Sequence, residues 1–121
     1  MEKKFSLSSR LKSFKFAFAG LYCLFKNEHN ARIHLLAILI VTALAFLLEI
    51  SKIEWCIIII AMVLVVAAEG FNTAIEAVCD LASPNEHPLV KKSKDVAAGA
   101  VLFSAIGAAI IGAIIFLPYL L

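Results

Sequence analysis

The stretch IIIIAMVLVVAAEGFNTAIEAVCD, Ile57 to Asp80, begins as an unbroken apolar run and then takes on Glu69, Asn72, Glu76 and Asp80 with no turn signal. At 100° per residue these four side chains fall within an arc of ~80° on one helix, a single polar stripe. Counting from Trp55 at the outer interface at ~1.5 Å per residue, Glu69 lies ~21 Å into a hydrocarbon layer of ~30 Å, Glu76 ~31 Å and Asp80 ~37 Å. The stripe descends from cytoplasmic water into lipid. An ionisable group at that depth costs about 2.5–3.5 kcal/mol even on insertion scales, so it marks a function.

Hard carboxylate oxygens at the interface suit Mg²⁺, which takes one or two carboxylates, binds phosphate oxygens and keeps several waters. Glu76 is placed as one ligand, and Glu28, ahead of the first apolar run, as a second. The deeper Glu69 lies where a lipid head-group hydroxyl reaches but bulk water does not, and a carboxylate out of water is the better proton acceptor for an alcohol. Lys91, Lys92 and Lys94 offer cations for phosphate, and Asp95 a further acid. Neither GxxxxGK[ST] nor GxGxxG occurs in the sequence, so a nucleotide must be held by charge, metal and helix faces. The stripe can connect a water-borne phosphate donor with a membrane-borne hydroxyl.

The chain around these residues is built for a bilayer. Its 121 residues are 63% hydrophobic, with a mean hydropathy of +0.98, which is too apolar for a soluble domain of that size. We expect one integral-membrane domain over residues 1–121, all-α, with spans over 33–50, 55–82 and 96–117, the last ended by Pro118. Over residues 5–27, Leu7, Leu11, Phe14, Phe18, Leu21 and Phe25 recur at steps of four and three, the pattern of an amphipathic surface helix. The scattered basic residues there leave no signal-peptide core, so this helix is expected to stay in the mature protein. Seven Lys/Arg precede residue 34, three follow Ser83 and one lies in the Glu49–Glu54 link. That bias puts the N-terminus in the cytoplasm and the C-terminus outside. A net charge of +2 gives no support to nucleic-acid binding. Cys23, Cys56 and Cys79 lack the spacing of a disulfide or zinc framework. Ala100, Ser104, Ala108 and Gly112 form a small-residue stripe that admits a close helix neighbour, within the chain or between subunits. Three spans enclose little volume for a site, so an oligomer is expected.

The motif Glu69-x-x-Asn72-Thr73-Ala74-Ile75-Glu76-x-x-x-Asp80, with Lys94-Asp95-x-Ala97-Ala98-Gly99-Ala100-Val101 after it, resembles the small bacterial integral-membrane diacylglycerol kinases and undecaprenol kinases. The likeness runs from Ser13-Phe14-Lys15 through Gly20-Leu21 and Glu28 to the end of the chain. Ile53-Glu54-Trp55, His87-Pro88-Leu89 and Ile114-Ile115-Phe116-Leu117-Pro118 look more like the undecaprenol kinases. The resemblance implies a homotrimer with its sites between subunits. It implies Glu69 as the base that also touches the lipid, Glu28 and Glu76 as Mg²⁺ ligands, and Asn72, Asp80, Lys94 and Asp95 as a polar shell. Asn85, Glu86 and His87 match nucleotide positions, alongside Glu28, Glu76, Lys94 and Asp95, and Phe16 matches an aromatic near the adenine. Where the family carries a substrate-binding arginine this chain has Ser9, with Arg10 next to it; one residue turns a side chain by ~100° on a helix.

The expected activity is ATP- and Mg²⁺-dependent phosphorylation of a lipid alcohol at the inner face of a bacterial cytoplasmic membrane, undecaprenol first and diacylglycerol second. A small ion or metal transporter is the rival from another class. Its path would need acidic groups on both sides of the midplane, and the outer halves of the first and third spans carry none. A non-catalytic assembly protein would explain the small-residue stripe but not the descending carboxylates.

Overall fold

The computed structural model describes residues 4–121, and these form four helices: α1 (Leu7–Asn27), α2 (His29–Leu47), α3 (Lys52–Ala82) and α4 (Pro88–Leu120). Three of them, α2 to α4, are long and apolar enough to cross a membrane. At ~1.5 Å per residue α2 is ~28 Å long, close to the thickness of the hydrocarbon layer, whereas α3 and α4 reach ~46 and ~50 Å. The surplus of α3 and α4 carries the polar residues.

Local chemistry sets the helix ends. Ser6 caps α1 by accepting from the Ser9 N–H at 3.3 Å. Glu28 alone separates α1 from α2, in an extended conformation. Arg32 folds back across this joint, donating from Nε to the Phe25 carbonyl at 3.0 Å and from Nη2 to the Lys26 carbonyl. These carbonyls belong to the last turn of α1, where no helical donor remains. A capping box opens α3: the Glu54 N–H donates to Ser51 Oγ, and the Ser51 N–H to Glu54 Oε1.

The α2–α3 link is a Schellman turn. Ile50 N–H donates to Ala45 O and Glu49 N–H to Phe46 O, with Glu49 at φ 51°. Ile50 closes the turn by burying itself in a cluster with Ala45, Ile58, Ile115 and Phe116, where α2, α3 and α4 converge. The expected span to Ile50 therefore stops as a helix at Leu47, because the last three residues make the turn.

Two further expectations change. The helix holding the third span begins at Pro88, about two turns before Val96, since proline is accommodated in a first turn and polar residues do not end a helix. At its far end α4 continues past Pro118 to Leu120, with the Leu121 N–H still donating to Leu117 O. Proline removes one bond there, in a final turn with little helix left to disrupt.

Elsewhere most large apolar side chains of α2 to α4 face outward. On α1 the expected stripe is exposed from Leu7 to Leu21, with Phe25 half-buried at its end, and it is Leu24, off that stripe, that is buried and packs toward Gly70 of α3. On the small-residue stripe of α4, Ala108 and Gly112 line a cleft between α2, α3 and α4, and a Cβ placed on Gly112 would meet nothing within 4 Å.

Candidate active site

Two polar centres lie on α3. The inner one holds Glu69 and Asn72, the only buried polar or charged residues among those described. Glu69 comes from α3 and His34 from α2, and Glu69 Oε2 stands 3.7 Å from His34 Nε2. That exceeds a hydrogen bond, and Glu69 Oε2 has no other partner. Glu28 at the α1–α2 joint and Glu76, two turns along α3, are the other charged groups acting on it. Asn72 Nδ2 donates to Glu76 Oε1 at 3.3 Å, while Asn72 Oδ1 and Thr73 Oγ1 are shielded and unpaired. Buried polar atoms are normally satisfied, so these unpaired oxygens of Glu69, Asn72 and Thr73 mark a candidate site.

The fold thus brings Glu28 into the electrostatic reach of a stripe it does not share a helix with. No cluster of three or more metal-binding side chains exists among the described residues. The donors that Glu28 and Glu76 offer, carboxylate oxygens, are of the kind that could take Mg²⁺ where phosphate and water complete its shell. Asn72 holds one Glu76 oxygen in place.

The outer centre is a cavity of about 660 Å³ where the long ends of α3 and α4 meet their connecting turn. Asp80, Asn85, Glu86, His87, Lys91, Lys94 and Asp95 all line it. Lys94 Nζ donates to Asp80 Oδ1 and Lys91 Nζ to Asp95 Oδ2, both at 2.6 Å. These turns of α4 precede the apolar run, and the bond from each lysine to its carboxylate holds the ammonium above its ordinary pKa. The His87 ring, accepting from the Leu89 N–H, caps α4 and borders the same cavity. Phe16 and Arg10 are exposed on α1 and take no part in either centre of the single chain.

A second cleft, about 340 Å³ and almost wholly apolar, runs between α2, α3 and α4 from His34 to Gly112. Sequence reasoning missed His34 because its pairing with Glu69 depends on how α2 packs against α3. It missed Arg32 for a similar reason, reading it only as part of a positive flank.

A buried carboxylate on an apolar helix, beneath a cavity of mixed charge that holds two lysines, defines a helical protein with a polar centre set among membrane-length helices. A family model described as prokaryotic diacylglycerol kinase matches residues 15–116. Undecaprenol kinase of Bacillus subtilis is 42% identical over 114 residues, covering 94% of this chain and 93% of its own. Diacylglycerol kinase of Synechocystis is 41% identical over 112 residues, 92% of this chain and 64% of its own, so this chain spans under two thirds of that relative. Diacylglycerol kinase of Escherichia coli is 32% identical over 100 residues, with 83% and 82% covered. The chain belongs to the prokaryotic diacylglycerol kinase family, and its class of enzyme is the lipid kinase.

Proposed function

We propose that this protein transfers the γ-phosphoryl group of ATP to the hydroxyl of a membrane lipid alcohol, with undecaprenol the preferred acceptor. The observation that carries the reading is Glu69, buried within an apolar helix and left with an unpaired carboxylate oxygen, at the foot of a stripe that leads to the cavity holding Lys91 and Lys94. The 42% identity to a relative named undecaprenol kinase supports the choice of acceptor. Diacylglycerol is the second reading, favoured by the relatives named for it.

In this mechanism Glu69 accepts the hydroxyl proton as the alcohol oxygen attacks the γ-phosphorus and ADP departs. Asn72 aligns Glu76, and Lys94, with Asp95 beside it, orients the phosphates from the cytoplasmic side. Asn85, Glu86 and His87 border the nucleotide, with Phe16 near its base and Arg10 near the lipid head group. Glu28 and Glu76 would hold Mg²⁺, which when bound offsets charge on the phosphate oxygens. Catalysis is then positioning and electrostatics, as in phosphoryl transfer generally.

Residues 1–121 act as one membrane domain, α1 lies on the inner surface through its uncovered apolar stripe, and the positive flank keeps the N-terminus in the cytoplasm and the C-terminus outside. Assembly as a homotrimer in a bacterial inner membrane is part of the proposal. Phe16, exposed on α1 and absent from the cavity lining of the single chain, supports sites completed by a neighbouring subunit. The test is phosphate transfer from radiolabelled ATP by purified protein in mixed micelles with Mg²⁺, with undecaprenol and diacylglycerol offered in parallel. Labelling of undecaprenol well above diacylglycerol is expected; labelling of neither by folded protein would remove the kinase reading.

A further inference from the structure

The proposed reaction leaves a proton on Glu69, whose side chain is only 2% exposed, so the residue needs a route for returning it to water before the next turnover. Its unpaired oxygen, Oε2, is the atom that His34 Nε2 approaches at 3.7 Å, and the imidazole is 19% exposed. His34 lies about one and a half turns from the start of α2 at His29, the end that the kinase reading places at cytoplasmic water, so the imidazole stands between the buried carboxylate and that surface. Resting on the kinase reading, we infer that His34 is a positioning residue for Glu69 that also takes up its proton after each transfer.

The steps balance. The acceptor O–H proton passes to Glu69 as its oxygen bonds to the γ-phosphorus and the bond to the bridging oxygen of ADP breaks. Protonated Glu69 then gives the proton to the lone pair of His34 Nε2, and the imidazolium releases one proton to water. Closing the 3.7 Å gap to hydrogen-bonding distance needs a shift of under an ångström. The other charged groups that act on Glu69 are the Glu28 and Glu76 carboxylates. Imidazole is suited to the task because it has two ring nitrogens, one to take a proton from the carboxylic acid and the other to give one up.

The experiment uses full-length protein in mixed micelles, comparing wild type with His34→Gln and His34→Ala. Glutamine keeps a hydrogen-bond donor but neither takes up nor gives up a proton near neutral pH. Both variants should lose about tenfold or more in kcat with the KM for ATP little changed. Added imidazole should restore part of the kcat of His34→Ala. In a Glu69→Gln background the further change to His34→Ala should cost nothing more, because the two residues act as a unit. Near-normal kcat in His34→Gln would overturn the inference, as would a His34→Ala loss indifferent to imidazole or fully additive with Glu69→Gln. ATP binding by each variant reports that it has folded. If the wild type labels no lipid alcohol, the kinase reading falls and this inference with it; an active wild type with unaffected His34 variants sinks this inference alone.

Discussion

Lys94 Nζ lies 2.6 Å from Asp80 Oδ1, tying the last turns of α3 to the second turn of α4 across the cavity mouth. Asp80 holds the lysine against the polar stripe while the ammonium keeps further N–H groups free for an anion. With both side chains partly in water the pair contributes little to stability, so its value is orientation. Lys94→Met should raise the KM for ATP about tenfold or more, with a smaller change in the KM for lipid. Steady-state kinetics in micelles with each substrate varied in turn checks this, and equal effects on both would argue against a phosphate role.

Glu69→Gln removes the proton acceptor but preserves shape. Turnover should fall by about 10²–10⁴-fold while ATP binding is retained. Calorimetric ATP binding alongside the transfer assay separates the two, and a variant with near-normal turnover would take Glu69 out of the base role.

Glu28, at the α1–α2 joint, and Glu76, on α3, act on the same buried carboxylate. If together they hold Mg²⁺, then Glu28→Gln and Glu76→Gln should each raise the Mg²⁺ concentration for half-maximal activity by about 10–100-fold. Chelation with EDTA should stop the wild-type reaction, and excess Mg²⁺ should restore it.

Glu49 closes α2 at φ 51°, a left-handed conformation that costs a side chain with a Cβ roughly 1–2 kcal/mol. Glycine adopts it freely. Glu49→Gly should therefore raise thermal stability in detergent without altering kinase kinetics, and a lowered melting temperature would show that the Glu49 side chain has a partner in the assembled protein.

Arg32 ties α2 to the last carbonyls of α1. In Arg32→Ala those carbonyls lose their donor, and α1 should become more mobile relative to α3. A spin label on the exposed Phe18 position reports that motion. Lipid KM should rise more than ATP KM, since α1 is the element proposed to meet the bilayer surface.

The polar stripe was legible in the sequence because Glu69, Asn72, Glu76 and Asp80 share one helix, where the 3.6-residue period alone sets their relative angles. Residue types also sufficed for the three apolar helices, because a bilayer demands long runs of hydrocarbon side chains with their backbone bonds satisfied within each segment. Hydropathy finds the stretch that lies in lipid, however, and not the helix that carries it. The start of α4 at Pro88 and the stop of α2 at Leu47 follow from caps and turns, which hydropathy does not sense. What only the tertiary structure decided are the relationships between elements: His34 against Glu69, and Lys94 across from Asp80 at one cavity. Residues 35 apart in sequence meet only through the angle and register at which α2 packs on α3. Those depend on many small contacts, such as Ala45, Ile58 and Phe116 closing on Ile50, that no periodicity along a single helix encodes.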